Sequence, residues 1–485
     1  MATDKRTFLT FDIGTTALKT ALFADDGSLL ALHASEYSFR SPKPHWAQQH
    51  ADTYWQAAVE GSRTVIEQSG TDPSQIAAIG FSSQAQTFVP VDANGKPSYD
   101  AVVWVDKRAD GIADEWFSDR LSPEYLKRIS GFPDAPRDLS VFKIAWLMRN
   151  MPEARKAAGF LWIPDYLIYK MTGRAATDSV TASMGGLFDM SQGVWDAGML
   201  DAAGIDESRL PDVLAPGSVA GELNAEAAEA LGVRYGVPVC VGANDQIAGA
   251  LGAGNVEPGI ATETTGTSLA VIVTTEQPLS DGGSCIGRHP AEGLYYAMRF
   301  TNTSAIILKW FRDICSSEES YEEFLRGIVD IPIGCDGLTV LPHFNGMASN
   351  PNAKGAFIGL TLGHTRDHIS RAIMESCCCL LRELLSDIGR VQSIRSLGGA
   401  ANSGAWLQMK ADMLAIEVER PKCAEAASLG AAMMAAAGIG RFKSIKEASN
   451  AWYRPSEIFR PNADLLNRYS EVYERYSLLN KLIYG

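Results

Sequence analysis

Several short stretches carry residues whose types and spacing suit chemistry between an anion and a hydroxyl. The first is Asp12-Ile13-Gly14-Thr15-Thr16, a turn between two alternating apolar runs within residues 7–24. Gly14 lets the backbone pass close to an anion, and the amides and hydroxyls of Thr15 and Thr16 can bond phosphate oxygens. Asp12 is a hard oxygen ligand of the kind Mg²⁺ takes beside a phosphate. Taken alone, the stretch reads first as a hairpin with a polar turn. A second stretch, Gly242-Ala243-Asn244-Asp245-Gln246, follows the apolar run 237–241 and precedes the small residues Ala248, Gly249, Ala250, Gly252, Ala253 and Gly254. An aspartate there is placed either as a general base or as the N-cap of a closely packed helix.

The opening pattern recurs at Glu263-Thr264-Thr265-Gly266-Thr267-Ser268. Superposing Gly266 on Gly14 sets Thr267 and Ser268 on Thr15 and Thr16, with Thr264 opposite Asp12. Only the first of these hydroxyl-lined loops therefore has a carboxylate, as expected of a cleft between two related halves. Further on, Gly398-Gly399-Ala400-Ala401-Asn402-Ser403 follows an apolar stretch. A Gly-Gly turn before a helix gives backbone access to a flat ligand such as a nucleobase and ribose, or is simply a strand-to-helix turn. Two polar strand exits complete the set. One is Ser82-Ser83-Gln84-Ala85-Gln86-Thr87, where α/β proteins place ligand contacts. In the other, Trp104, Asp106 and Arg108 suit a polyol, the ring covering a carbon face and the charged groups bonding hydroxyls. Alternatively, Asp106 caps a helix and Arg108 joins a surface ion pair.

The elements that must position these residues follow from periodicity and turn signals. Three antiparallel strands are expected to open the chain, the third at 28–37 after the tight turn Asp25-Asp26-Gly27. Asp52 is expected to cap a helix bearing Trp55, Val59 and Ile66, before a buried strand at 76–81. A strand at 101–105, helix across 138–170, and loops with short strands across 171–220 come next. After a composition shift near 254–259, strands are expected at 269–273, 294–300 and 338–344. Helices follow around 303–314, from 368 to 388 with Asp367 as cap, and at 405–415, 425–437 and 463–483.

Bulk properties narrow the class. A chain of 485 residues exceeds one ordinary core, so two domains are expected, 1–255 and 256–485, with the last helix packing back on the core. Lys and Arg number 43 against 57 Asp and Glu, a net charge of −14, which disfavours nucleic-acid and anionic-membrane partners. There is no apolar run of membrane-spanning length, and residues 1–6 are polar, so neither a span nor a signal peptide is expected. Eight cysteines, three of them adjacent at 377–379, suit buried small apolar residues on a helix in the reducing cytoplasm rather than disulfides or zinc.

Together the stretches resemble the FGGY family of carbohydrate kinases over nearly the whole chain. The most specific piece is Gly355-Ala356-Phe357-Ile358-Gly359-Leu360 with His368-Ile369 and Ala372-Ile373-Met374-Glu375, which fits the family's C-terminal signature. The N-terminal signature is visible around Lys143, Trp146 and Leu147, with a departure at Asp138. The resemblance implies an α/β protein of two ribonuclease-H/actin-like domains with ATP and sugar meeting in the cleft. It implies Asp12 on Mg²⁺, and Gly14, Thr15, Thr16, Gly266, Thr267 and Ser268 on the phosphates. It also implies Gly398, Gly399, Ala400 and Asn402 around adenosine, and Asp245, ionised at an ordinary carboxylate pKa, as the base.

On the sugar side the resemblance implies Gln84, Gln86, Trp104, Asp106, Arg108, Asn244 and Gln246. Members resembling xylulose kinases carry Met-His, and those resembling glycerol kinases Arg-Glu, where this chain has Ala85-Gln86. A neutral polyhydroxy substrate is expected, first a ketopentose such as D-xylulose. Ribulose, glycerol and gluconate remain alternatives. An actin- or chaperone-like ATPase and an inactive sugar sensor are the readings from other classes. The oligomeric state is not legible, a homodimer being one option.

Overall fold

The computed structural model describes residues 6–279, 282–347 and 349–485. Of the polar stretch 1–6, all but Arg6 lies outside the described residues. The first half opens as an antiparallel ribbon. β1 (Thr7–Ile13) pairs with β2 (Ala17–Ala24), which pairs with β3 (Leu29–Glu36). Only Asp12 among the β1 residues has appreciable exposure, so this strand is covered on both faces. The helix α1 (Ala51–Ser69) turns its Tyr54, Ala58 and Val65 face into that core. β4 (Ile76–Ser83) then runs parallel to β1, bringing Ser82 opposite Asp12.

Next come α2 (Ser140–Asn150), β5 (Gly159–Trp162) and α3 (Ile163–Thr172), with β6 (Val219–Glu222) and β7 (Pro238–Cys240) completing the sheet. Its order is β6-β7-β4-β1-β2-β3, and residues 243–244 also pair with β4. The helix α4 (Asp245–Gly252) starts at the end of that last pairing.

The second half repeats this plan. β8 (Ile260–Thr265), β9 (Leu269–Thr275), β10 (Cys285–Arg288) and β11 (Tyr295–Thr301) form the antiparallel part. The helices α5 (Ile306–Ser316) and α6 (Arg366–Leu385) precede β12 (Ser393–Leu397), α7 (Gly404–Leu414) and β13 (Glu417–Pro421). After them come α8 (Ala426–Gly438), α9 (Ile445–Trp452), β14 (Pro455–Phe459) and α10 (Leu466–Tyr484). The order β10-β11-β9-β8-β12-β13-β14 places β12 parallel to β8, as β4 lies parallel to β1. Thus the recurrence read in the sequence is a repeat of topology as well as of turn residues.

The two halves interlock through α8, which packs on the first sheet as well as on α4. Small residues make this possible. A Cβ added at Gly430 would lie 2.0 Å from the Ala248 carbonyl oxygen, and one at Gly252 1.8 Å from that of Ala426. The helices therefore cross with backbone against backbone. Ion pairs Lys19–Glu425 (2.7 Å) and Arg441–Asp25 (2.7 Å) add links between the halves.

Several boundaries differ from the sequence expectation. α1 has His50 at its N-cap, so Asp52 lies in the first turn, where it accepts a hydrogen bond from Tyr166 Oη at 3.1 Å. α6 likewise begins two residues earlier than expected, with Thr365 at the N-cap and Asp367 inside. The strand at 101–105 shrinks to Ala101–Val102, because the chain turns at Val103. The expected helix over 138–170 is broken by β5, since Pro152 cannot continue α2 and residues 159–162 pair with 88–91. Short helices at Ser179–Ser183 and Ala197–Ala203 lie within 171–220. Cys377, Cys378 and Cys379 are buried and unbridged on α6, as read. Among the described residues no helix is long and apolar enough to cross a membrane.

The α4–α8 crossing carries a direct consequence. Gly430→Ala is expected to destabilise the fold by about 2 kcal/mol or more, because a backbone oxygen must move to admit the methyl group. A urea denaturation series against the wild type measures it.

Candidate active site

Three neighbouring strands place the carboxylates. Asp12 on β1 faces Ser82 on β4, and Ser82 faces Ala243, two residues before Asp245. The carboxylate of Asp12 is half-buried and accepts a hydrogen bond from Ser82 Oγ at 2.8 Å. Burial raises its pKa, with Ser82 and the Lys19 charge pulling the other way. Asp245 is the first residue of α4. The N-cap is Asn244, whose side-chain oxygen accepts from Gln246 N at 3.1 Å. Capping by Asp245 itself is thereby removed as its explanation. Burial first, and the Asp12 charge second, push the Asp245 carboxyl up to about 7, against hydrogen bonds from Gln246 N (2.7 Å) and Asn244 Nδ2 (3.0 Å). That corrects the expectation of ordinary acidity: a desolvated carboxyl beside a like charge holds its proton longer.

The first loop is held from beneath. Tyr37 Oη donates to the Gly14 carbonyl at 2.7 Å, and Gln84 Nε2 donates to the same oxygen at 3.2 Å. Thr15 Oγ1 donates to Gln84 Oε1 at 3.2 Å and accepts from Trp104 Nε1 at 2.8 Å. Buried Gln84 therefore braces the loop. Asn244 is buried and engaged as the α4 cap.

The second loop is one residue tighter. Thr265 pairs directly with Leu269, whereas Ile13 pairs with Leu18. Ser304 N donates to the Thr267 carbonyl at 2.9 Å, and Thr267 and Ser268 stay exposed. A pocket of about 350 Å³ is lined by Gln246 from the first half and by Gly266, Thr267, Ser268, Met298 and Phe300 from the second. The glycine turn adjoins this loop. Gly398 has φ 78°, and a Cβ there would lie 2.9 Å from the Thr265 carbonyl oxygen. Gly399 faces open space, Ala400 is buried and Asn402 is exposed.

The aromatic–charged segment divides. Trp104 keeps an exposed ring face. Asp106 and Arg108 have side chains with 0% exposure. Asp106 accepts from Ala47 N (2.5 Å) and from Arg108 N, Nε and Nη2 (3.0, 2.8 and 2.7 Å). The guanidinium also lies 3.9 Å from the Trp46 ring centre. These groups satisfy one another, and neither forms the surface pair or helix cap that was the alternative. Lys143, buried and held at about 8 by desolvation, donates to the Trp104 carbonyl at 2.5 Å. Gln86 stands apart: its φ is 67°, and its buried Oε1 has no hydrogen-bond partner. An unpartnered buried acceptor on a left-handed residue marks a place where a ligand hydroxyl would be welcome.

Sequence reasoning missed Ser82 as the partner of Asp12, Tyr37 under the first loop, and Met298 and Phe300 in the pocket wall. Ser82 stood at a polar strand exit and could have been found by register. Tyr37 directly follows β3 of the opening ribbon, and Met298 and Phe300 come from β11, about 30 residues beyond the loop.

Two measurements follow from this geometry. In the free enzyme the Asp245 carboxyl titrates near pH 7, and Asp12→Asn shifts that titration downward by removing a like charge, as read by carbon-13 NMR of the aspartate carboxyls. Arg108→Ala strands a buried Asp106 carboxylate and is expected to cost about 3–5 kcal/mol in chemical denaturation.

Comparison with known proteins gives the family. Residues 7–252 match the N-terminal domain, and residues 261–439 the C-terminal domain, of the FGGY family of carbohydrate kinases. A glycerol kinase of Nitratidesulfovibrio vulgaris (strain DSM 19637 / Miyazaki F) is 30% identical over 487 residues, covering 96% of each chain. A xylulose kinase of Lactococcus lactis is 29% identical, covering 98% of this chain and 96% of that protein. The crystal structure of a xylulose kinase from Rhodospirillum rubrum superposes with a TM-score of 0.90 at 27% identity over 99% of both chains. The fold is the two-domain, actin-like sugar-kinase fold. Its two matched domains make the chain a member of the FGGY family of carbohydrate kinases, ATP-dependent enzymes that phosphorylate sugars or polyols.

Proposed function

We propose that the chain transfers the γ-phosphoryl group of ATP to one hydroxyl of a small neutral polyhydroxy substrate, first among them a ketopentose such as D-xylulose. The observation that carries this reading is the pair of half-buried carboxylates, Asp12 and Asp245, beside two hydroxyl-lined loops. A base poised near neutrality combines a useful deprotonated fraction with real proton affinity. Asp245 takes the proton from the attacking hydroxyl as its oxygen bonds to the γ-phosphorus, and the β–γ bridging oxygen leaves with ADP. The loops at 14–16 and 266–268 hold the phosphates, and the turn at 398–402 lines the adenosine.

Mg²⁺ fits this donor set. Among the described residues no cluster of three His, Cys, Asp or Glu forms a cage of its own. Asp12 nevertheless offers a desolvated hard carboxylate, and Mg²⁺ is commonly held by one or two carboxylates plus substrate phosphates. When bound there, the ion would neutralise phosphate charge. Positioning and charge neutralisation dominate this chemistry, since phosphoryl transfer needs little covalent help.

Substrate choice rests on Gln86, Gln246 and Trp104. The free acceptor of Gln86 supports a neutral hydroxyl donor, and partly buried Ala85 leaves room beside it. The exposed ring face of Trp104 supports contact with a carbon face. Similarity to both glycerol and xylulose kinases supports a polyol or ketose substrate, and the small Ala85 beside Gln86 favours the ketose.

An ADP-release assay across pentuloses, hexuloses, pentitols, glycerol and gluconate tests this reading. D-Xylulose is expected to give the strongest stimulation; a stronger response to glycerol or gluconate would refute the substrate. Asp245→Asn is expected to lower turnover by at least about 100-fold while nucleotide affinity stays within about twofold. Near-normal turnover would remove Asp245 as the base.

A further inference from the structure

A buried ionic network lies directly beneath the second phosphate loop, outside the chemistry described above. The side chains of Glu263 and Lys410 are 0% and 1% exposed and pair at 2.5 Å. Lys410 Nζ also donates to Thr265 Oγ1 at 3.1 Å and to Ser396 Oγ at 3.3 Å. Thr265 Oγ1 donates to Glu263 Oε2 at 2.5 Å, and Ser396 Oγ donates to Glu263 Oε1. The ammonium thus has three acceptors, and both carboxylate oxygens are used. The participants come from β8, β12 and α7. Thr265 immediately precedes Gly266 of the loop, and Ser396 stands two residues before Gly398 of the turn.

The internal repeat shows that the sheet does not require these ions. Aligning Gly266 on Gly14 sets Glu263 on Phe11. In the parallel registers, Glu263 faces Ser396 where Phe11 faces Phe81. The first half fills this place with two buried rings 5.6 Å apart. An apolar pair therefore satisfies the same architecture, and buried ion pairs are often no more stabilising than apolar groups of like volume. What the ionic version adds is direction: hydrogen bonds fix the orientation of Thr265 and Ser396 more narrowly than apolar packing does.

We propose that Lys410 is a positioning residue for the nucleotide. It ties the roots of the loop at 266–268 and the turn at 398–399 to one ammonium, so that the phosphate and adenosine contacts keep a single spacing. This inference rests on the reading that those two elements hold ATP.

The test compares Glu263→Leu/Lys410→Met, which removes both charges and strands neither, with Thr267→Ala in the loop itself. Calorimetric binding of a non-hydrolysable ATP analogue, sugar KM and thermal melting are measured on each. The double variant is expected to melt no lower than the wild type, to bind the analogue on the order of 10-fold more weakly, and to keep its sugar KM. Ser396→Ala, which cuts only the link to the Gly398 turn, is a milder variant expected to weaken analogue binding several-fold. It carries the test if the double variant does not fold. Unchanged analogue binding in these variants, with Thr267→Ala weakened, overturns the role of Lys410. Unchanged binding in Thr267→Ala instead overturns the assignment of the loop, and the inference with it.

Discussion

Withholding two neighbouring carboxylates from bulk water is the constraint on which the rest of this structure depends. Asp12 and Asp245 sit at the ends of strands joined through β4, and burial raises both pKa values. Left to solvent, they would be ordinary acids with no particular affinity for a proton or a metal. Held together in a partly dry cleft, they acquire separate duties under the proposed mechanism. Asp12 has Ser82 and the Lys19 charge to favour its ionised form, whereas the hydrogen bonds to Asp245 leave its pKa near 7. The difference between their neighbours separates metal ligand from base.

Keeping that cleft in register requires the two halves to meet closely, and α8 does this by reaching onto the first sheet. Gly252 and Gly430 let the α4 and α8 backbones touch, which locates Asp245 at the head of α4 relative to both sheets. The two halves repeat one topology but fill it differently. The first places aromatic rings under its loop, and the second places an ionic network under a tighter loop. Repetition supplies two similar hydroxyl-lined turns. Divergence lets one carry the carboxylate side of the cleft while the other, under the proposal, clamps nucleotide.

The sequence was most legible where chemistry and backbone geometry coincide. Gly14 and Gly398 were readable because close backbone approach restricts those positions, and the repeat at 263–268 foretold the second sheet. Asp12 and Asp245 were readable as strand-end carboxylates, but the raised pKa of Asp245 was not, because it arises from burial and from a residue 233 positions away. The burial of Asp106 and Arg108 was not legible for a related reason: Trp46 and the Ala47 amide, which enclose the pair, come from another segment. Helix starts at Ala51 and Arg366 shifted by two residues because tertiary entry, not the nearest aspartate, sets the first turn.

The division of labour between the two carboxylates is tested most directly by a crystal structure with Mg²⁺, a non-hydrolysable ATP analogue and the sugar that best stimulates ADP release. The account predicts the attacking hydroxyl within about 3 Å of the Asp245 carboxylate, in line with the γ-phosphorus, and the metal on the Asp12 side of the phosphates. A hydroxyl remote from Asp245, or a metal ligated by Asp245 in place of Asp12, would contradict it.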